Sequence, residues 1–313
     1  MNYDVEANGS STSQMHAAEG MDSCSQGNNT ITATSSKSEI PLHVTGNRGR
    51  ILTPAEAEKL MKDQSFVSDY KQKKLEREAQ RNWDLFYKRN SINFFKDRHW
   101  TTREFEELKS SRDLEHRQLI VLEAGCGVGN SLFPLLECDL NVFIYACDFS
   151  PRAVEFVKEN RLYNTERCKA FQCDLTKDNL LENVPADSVD VVMLIFVLSS
   201  IHPEKMQLAL ENIYKILKPG GCILFRDYGL YDHAMLRFKS GHKLGPNFYV
   251  RQDGTRSFFF SDDYVAQLLA SSGYEVLMND YVSRVTVNKK EDLCVPRVFL
   301  QCKFKKSKKI AEH

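Results

Sequence analysis

The chain has 313 residues, 42 basic and 42 acidic, and is 42% hydrophobic and 11% aromatic. That length allows one large domain or two ordinary ones, and the hydrophobic content excludes wholesale disorder. No run approaches the ~20 apolar residues that a membrane-spanning helix needs, and the polar N-terminus has no apolar signal core.

Zero net charge argues at first against a nucleic-acid partner, but the charges are unevenly placed. Residues 49–103 hold 13 bases and 8 acids, residues 226–260 hold 6 and 3, and residues 303–313 hold five lysines and one Glu. Residues 104–225 hold 12 bases and 19 acids, so the middle is acidic and its attachments are basic. Random surface scatter remains the alternative reading. The nine cysteines form no C-x-x-C pair and have no histidine at zinc-finger spacing. They read as small buried hydrophobes, without a disulfide framework or a structural metal site.

Residues 1–48 are rich in Ser, Thr, Asn and Gly without periodicity, which predicts a disordered polar extension. Order is expected from Arg50. Thr53-Pro54-Ala55-Glu56 reads as a helix start, with Thr at the N-cap, Pro at the first helical position and Glu closing a capping box. A second helix is predicted over about 69–89, with Leu75, Ala79, Trp83 and Phe86 on one face. From Leu119 apolar strands (119–123, 142–147, 169–173, 189–196, 222–226) alternate with helices near 129–137, 151–160 and 203–217. Such alternation argues for a parallel sheet covered on both faces. Asp253-Gly254 lies between two strand-like runs in 247–260, a hairpin signal. Ser261 then caps a helix to about 272, and strands follow near 274–282 and 297–303.

Glu123-Ala124-Gly125-Cys126-Gly127-Val128-Gly129-Asn130 follows the first of these strands and opens a helix. Glycines there let the backbone turn sharply and approach a ligand. The next strand ends in Asp148, placed to accept from both ribose hydroxyls of a nucleoside. The third ends in Asp174, which could accept from an adenine amino group. Asn130 stands where a dinucleotide fingerprint needs glycine. An acid before the loop also suits the cationic sulfonium nucleoside S-adenosylmethionine better than an anionic dinucleotide. An ordinary tight turn with solvent-facing acids is the bland alternative. Trp83 and Tyr87, spaced i, i+4, put two aromatics on one helix face, which core packing alone would also explain.

The E-A-G-C-G-V-G loop, the C-D-F-S and Q-C-D-L turns and L-K-P-G-G resemble the class I (Rossmann-like) S-adenosylmethionine-dependent methyltransferases. N-W-D-L-F-Y-K-R-N, N-F-F-K-D-R-H-W, F-R-D-Y-G and F-Y-V-R-Q-D-G-T-R are similar to the eukaryotic methyltransferase-like enzymes that make 3-methylcytidine in tRNA. The serine-tRNA-directed member is the nearest in pattern. The resemblance covers about Arg50 to Lys303 and leaves residues 1–48 unexplained.

It implies an α/β fold with a seven-stranded mixed sheet, an N-terminal helical lid and a β-hairpin insertion. The expected organisation is an extension (1–48), a helical cap and tRNA-binding region (49–112), a methyltransferase domain (113–303, insertion about 229–260) and a Lys-rich tail (304–313). Gly125 and Gly127 should line the methionine side of the cofactor, with Asp148 at the ribose and Asp174 with Leu175 at the adenine. Ile195 should form the pocket floor, and Trp83 and Tyr87 should contact the cofactor from the lid.

Methylation at cytosine N3 mainly requires N3 to be placed in line with the S–CH₃ bond, and the product base is cationic. Asp227 is the catalytic candidate, with Arg226 and Tyr228 positioning the nucleotide; a plain Arg226–Asp227 ion pair is the alternative. Phe196-Val197-Leu198-Ser199-Ser200 replaces the N-P-P-Y-like residues frequent in exocyclic-amine methyltransferases. Lys96, Arg98, His99, Arg251 and Arg256 are the expected RNA contacts, and the tail lysines could meet phosphate. Serine tRNA and seryl-tRNA synthetase are the implied partners, for a monomer in the cytoplasm, with the nucleus also open. A protein or small-molecule methyltransferase and a nonenzymatic RNA-binding adaptor are the competing functions.

Overall fold

A computed structural model describes residues 43–46, 49–109, 117–138, 141–288 and 293–307. Three helices come first: α1 (Pro54–Lys62), α2 (Asp69–Arg77) and α3 (Ala79–Asn90), preceded by a short strand β1 (His43–Gly46). After α4 (Thr101–Glu104), strands and helices alternate: β2 (Leu119–Ala124), α5 (Leu132–Cys138), β3 (Val142–Asp148), α6 (Pro151–Glu159), β4 (Cys168–Gln172), β5 (Val189–Ile195), α7 (Pro203–Ile216) and β6 (Leu217–Tyr228). An insertion of α8 (His233–Leu236), β7 (Lys243–Gly245), β8 (Phe248–Val250) and β9 (Arg256–Phe258) precedes α9 (Asp262–Ser271), β10 (Tyr274–Asn288) and β11 (Leu293–Lys306).

The main sheet has the order β1-β10-β11-β6-β5-β2-β3-β4. Strands β2 to β6 are mutually parallel, while β11 runs antiparallel to both β6 and β10. The seven expected strands are therefore present. The expected disorder through residue 48 is corrected at its end, because β1 pairs antiparallel with β10, His43 opposite Arg284. Residues 1–42 lie outside the described residues.

Strand residues alternate between two cores, as the two-residue repeat of a strand requires. Leu122, Val192 and Phe225 face one core, shared with Met206, Leu210 and Ile213 of α7. Val121, Val191 and Leu224 face the other, shared with Leu132 and Leu135 of α5 and Val154 and Val157 of α6. Residues at i, i+3, i+4 and i+7 on α7 bury one stripe, so that helix packs on the sheet by its own spacing.

The capping box at Thr53 forms as read: its side chain accepts from Glu56 N–H, and the Glu56 carboxylate accepts from Thr53 N–H at 3.0 Å. The single helix expected over 69–89 is two. Glu78, with φ −96° and ψ 8°, leaves helical geometry and lets α3 turn onto the sheet. Asp253-Gly254 does connect two antiparallel strands, β8 and β9. Its turn is fastened by Thr255, whose N–H and hydroxyl both donate to Asp253 Oδ1.

The lysine-rich end serves the fold before any partner. Lys306 is buried and donates to Asp187, Tyr214 O and Leu217 O, each at 2.7 Å, and Lys303 pairs with Glu107. Lys308 and Lys309 lie outside the described residues. Among the described residues no helix is long and apolar enough to cross a membrane.

Glu76 of α2 receives both Arg256 of β9 and Lys205 of α7, joining three separate parts of the chain. Burial acts to raise its pKa, but the hydrogen bonds and charges of those cations prevail and lower it to about 2. Removing one partner of such a cluster strands a buried guanidinium, so Glu76→Gln should cost about 2 kcal/mol in denaturant unfolding at neutral pH. The folded pKa lies below the unfolded value, so this stability is complete above about 4.5 and is lost as pH falls toward about 2. The difference between the two proteins should shrink over that window; a difference independent of pH would refute the assignment.

Candidate active site

The parallel strands reverse their order between β2 and β5, and ligands of such sheets bind in the crevice at the carboxyl ends there. Glu123, Asp148 and Ile195 all sit at those ends. The glycine loop leaves β2 with Gly125 at φ +67° and Gly127 at φ +54°, a region that side chains disfavour. Space forbids a side chain as well. A Cβ at Gly125 would lie 2.7 Å from Val197, and one at Gly127 would lie 3.0 Å from the Tyr87 hydroxyl.

Asp148 fastens this loop to the neighbouring strand: its two oxygens accept from Gly127 N–H and Ser150 N–H, each at 2.9 Å. Each oxygen keeps a second lone pair for a hydroxyl. Burial pushes its pKa up to about 6 against those hydrogen bonds. Glu123 is buried too, pushed up to about 7 by desolvation, with the Arg98 charge and Ser131 opposing. Its Oε2 is buried without a hydrogen-bond partner in the protein. An unsatisfied carboxylate beside a glycine cradle, with a second at the next strand end, fits a cationic nucleoside such as S-adenosylmethionine.

Asp174 is more committed than expected. Its oxygens accept from the N–H and hydroxyl of Thr176 and from Lys177, and these outweigh burial to lower its pKa. Leu175 and Ile195 are buried, one in each core.

Helix α3 lies over the loop. Its Phe86 and Tyr87 are buried with Val128 and Ala153, and Trp83 packs against them, 5.2 Å from Phe86 and 6.1 Å from Tyr87 between ring centres. Polar contacts set its place. Asp84 accepts from the Ser150 hydroxyl at 2.9 Å and from Arg152, while Gln80 donates to Phe149 O. Asn82 and Arg89 reach Gly254 O and Asp253 of the hairpin. Tyr87 thus packs in the α3 core and also lies against the glycine loop at Gly127.

The F-R-D-Y run splits across the sheet. Arg226 points to the α4 side, where it pairs with Glu104, meets Gln301 at 3.0 Å and lies 4.3 Å from the Trp100 ring centre. Asp227 points the other way, fully buried, and accepts from Ser199 N–H at 3.0 Å and Tyr228 N–H at 2.9 Å. Adjacent strand residues face opposite sides, so the Arg226–Asp227 ion pair does not form. Burial raises the Asp227 pKa to about 6 against these hydrogen bonds and the Arg251 charge.

Tyr228 meets Phe196 at 5.2 Å and Phe299 at 6.4 Å, with Arg251 and Arg297 about 6 Å from its ring centre. Arg98 lies 5.3 Å from the Phe196 ring. Phe196 has φ +60°, a strained value for a bulky residue, and such strain concentrates at functional sites. Sequence reading assigned no role to Glu123, Phe196, Arg297 or Phe299. The acid before the loop and the run beginning at Phe196 had left local signals, whereas Arg297 and Phe299 had left none.

The expected RNA contacts divide. Lys96 and His99 are exposed on the N-F-F-K-D-R-H-W segment. Arg98 is buried instead, its N–H on Asn130 O and its guanidinium 3.3 Å from the Ser131 hydroxyl. Arg251 is half-buried, bound to Arg256 O and Ser257. Arg256, expected as an RNA contact, is buried and paired with Glu76.

A bound cation favours ionised Glu123 and Asp148, so S-adenosylmethionine affinity should fall as pH drops from about 7.5 to 5.5. Glu123→Gln should remove the part centred near 7 in titration calorimetry, the value to which burial lifts that group. A pH-independent wild-type affinity would overturn this. Trp83→Ala should weaken cofactor binding while leaving the melting of the sheet domain nearly unchanged, and unaltered affinity in the folded variant would remove the lid from the cofactor site.

Residues 122–223 match a family model described as a methyltransferase domain. The chain is 72% identical over 264 residues to the human tRNA N(3)-cytidine methyltransferase METTL6, covering 84% of this chain and 93% of that protein. It is 42% identical to the Schizosaccharomyces pombe tRNA N(3)-methylcytidine methyltransferase trm141, covering 77% of this chain and 98% of the relative. A solved S-adenosylmethionine-dependent methyltransferase from Anabaena variabilis superposes with TM-score 0.53 at 13% identity, covering 72% of this chain and 94% of that one, a likeness of fold. With the cofactor cradle, the lid and identity at this level over nearly the whole relative, the chain belongs to the tRNA N(3)-cytidine methyltransferase family.

Proposed function

We propose that this S-adenosylmethionine-dependent enzyme forms 3-methylcytidine in the anticodon loop of serine tRNA, with seryl-tRNA synthetase aiding selection. The observation that carries the RNA reading is the aromatic and arginine wall where β5 and β6 end beside the middle of β11. Phe196, Tyr228 and Phe299 stand together there, with Arg98, Arg251 and Arg297 against their rings. An anticodon-loop cytidine must leave its stack to be methylated, and aromatic faces and guanidinium planes hold such bases. The serine-tRNA reading and the synthetase rest on the sequence resemblance.

The cofactor supplies the methyl group on a sulfonium leaving group. Asp148 would hold the ribose, Asp174 and Leu175 would border the adenine, and Ile195 would close the floor. Gly125 and Gly127 would admit the methionine portion, while Trp83 and Tyr87 would cover it. The cytosine N3 lone pair is available without a base, so the protein's task is alignment and exclusion of water.

Asp227 acts as a positioning residue. It fixes Ser199 and Tyr228, and its buried negative charge favours the base as it becomes cationic. Arg226 holds Trp100 and α4 against the sheet, and in this reading it positions the nucleotide through them. Lys96 and His99 remain available for phosphate, and Arg251 works through Tyr228.

Asp227→Asn should lower kcat about 10- to 100-fold with cofactor affinity intact. Wild-type kcat should decline as pH falls through about 6, the value burial gives Asp227, and this inflection should vanish in the variant. A variant near wild type, or one that retains the inflection, removes Asp227 from the reaction. Mass spectrometry of nucleosides from separate tRNAs, with and without purified seryl-tRNA synthetase, tests selection. Equal 3-methylcytidine in serine and other tRNAs, unaffected by the synthetase, would refute that part.

A further inference from the structure

Helix α3 carries a carboxylate that the cofactor reading leaves without a task. Asp84 follows Trp83 directly, and its hydrogen-bond partners lie where β3 gives way to α6. One oxygen accepts from the Ser150 hydroxyl at 2.9 Å and from Arg152 N–H at 3.3 Å. The other accepts from the Arg152 side chain at 3.4 Å.

A surface ion pair with Arg152 is the plain account of this contact. Exposure and distance decide against it as the main interaction. The Arg152 side chain is 40% exposed and its contact is long, so that pair contributes little. Ser150 is fully buried and its contact is short. A hydroxyl donating to a carboxylate is charge-assisted, and the bond fixes where the hydroxyl points.

The other contacts of Ser150 make its position matter. Its hydroxyl oxygen accepts from Ala153 N–H at 3.3 Å and caps α6. Its own N–H donates to Asp148 Oδ1 at 2.9 Å, while Gly127 N–H holds Oδ2 at the same distance. Helix α3 meets both of these donors. Tyr87 stands against Gly127, and Asp84, three residues earlier on the same helix face, holds Ser150. Gln80, one turn before Asp84, donates to the carbonyl of Phe149, which lies between Asp148 and Ser150. A carboxylate fixed in advance loses little rotamer freedom when a nucleoside arrives, which is how such support raises affinity.

We propose that Asp84 is a positioning residue for cofactor binding, acting through the Ser150 hydroxyl to set the Asp148 carboxylate for the ribose. The inference rests on the reading of Asp148 as the ribose carboxylate. It adds to that site a residue acting at one remove, on a different element.

The test uses full-length Asp84→Ala, Asp84→Asn, Ser150→Ala, Arg152→Ala and the double variant Asp84→Ala/Ser150→Ala. S-adenosylmethionine affinity would be measured by titration calorimetry, with melting temperature and the KM and kcat of methyl transfer alongside. Asp84→Ala should weaken cofactor affinity and raise the cofactor KM about tenfold, with kcat at saturating cofactor changing much less. Asp84→Asn should recover most of the loss, because its amide oxygen still accepts from Ser150. In the Ser150→Ala background, Asp84→Ala should cost little more, since both act through one hydrogen bond. Arg152→Ala should stay near wild type.

Additive losses in the double variant, or an Asp84→Asn protein as weak as Asp84→Ala, would overturn the route through Ser150. An equal loss in Arg152→Ala would reduce the contact to an ion pair and overturn it as well. So would unchanged affinity in folded Asp84→Ala, or a fall in kcat with the cofactor KM unchanged. Asp148→Ala in the same series separates this inference from the reading beneath it. If Asp148→Ala lowers affinity and Asp84→Ala does not, the role of Asp84 alone fails. If neither lowers it, the ribose assignment fails too.

Discussion

Negative charge buried at the carboxyl ends of parallel strands is the constraint around which this molecule is organised. Glu123, Asp148 and Asp227 each close a strand, each is almost fully buried, and burial raises the pKa of each. Ionised carboxylates in such places are costly unless something positive or hydrogen-bonding meets them. Backbone N–H groups serve Asp148 and Asp227, and Glu123 is left with an unpartnered oxygen. A cationic methyl donor and a base that becomes cationic are chemistries that this arrangement favours. The acidic middle of the sequence is therefore partly an interior property.

The basic attachments have a similar double character. Arg256 and Arg226, which a charge count assigns to an RNA-facing surface, are buried on Glu76 and Glu104. Those acids lie on the N-terminal helices, so the cations fasten the cap to the methyltransferase sheet. Lys306 does the same for the last strand. The side chains of Lys96 and His99, by contrast, stay exposed. Counting bases along a segment overstates an RNA surface wherever the same fold must satisfy buried acids.

What could be read from the sequence was whatever is encoded locally. The capping box at Thr53, the Asp253-Gly254 turn, the Ser261 cap and the alternation from Leu119 depend on neighbours within a few residues, and each formed. The glycine loop and the acid at the end of β3 were legible for the same reason. The break at Glu78 was not, because α2 and α3 are separated by packing on different surfaces. Nor was the aromatic cluster around Tyr228. Phe299 reaches Tyr228 only because β11 pairs antiparallel with β6, placing those two residues directly opposite. Neighbours on F-R-D-Y were read as one group, whereas the strand's repeat sends Arg226 and Asp227 to opposite faces.

Helix α3 joins the glycine loop to the hairpin. One side of it covers the cofactor loop through Trp83 and Tyr87 and is fastened to the C-D-F-S turn through Asp84 and Gln80. Its other contacts, Asn82 and Arg89, hold the hairpin that carries Arg251 over Tyr228. Because one helix of twelve residues is fastened both to the glycine loop and to the hairpin, a substitution that displaces it disturbs both at once.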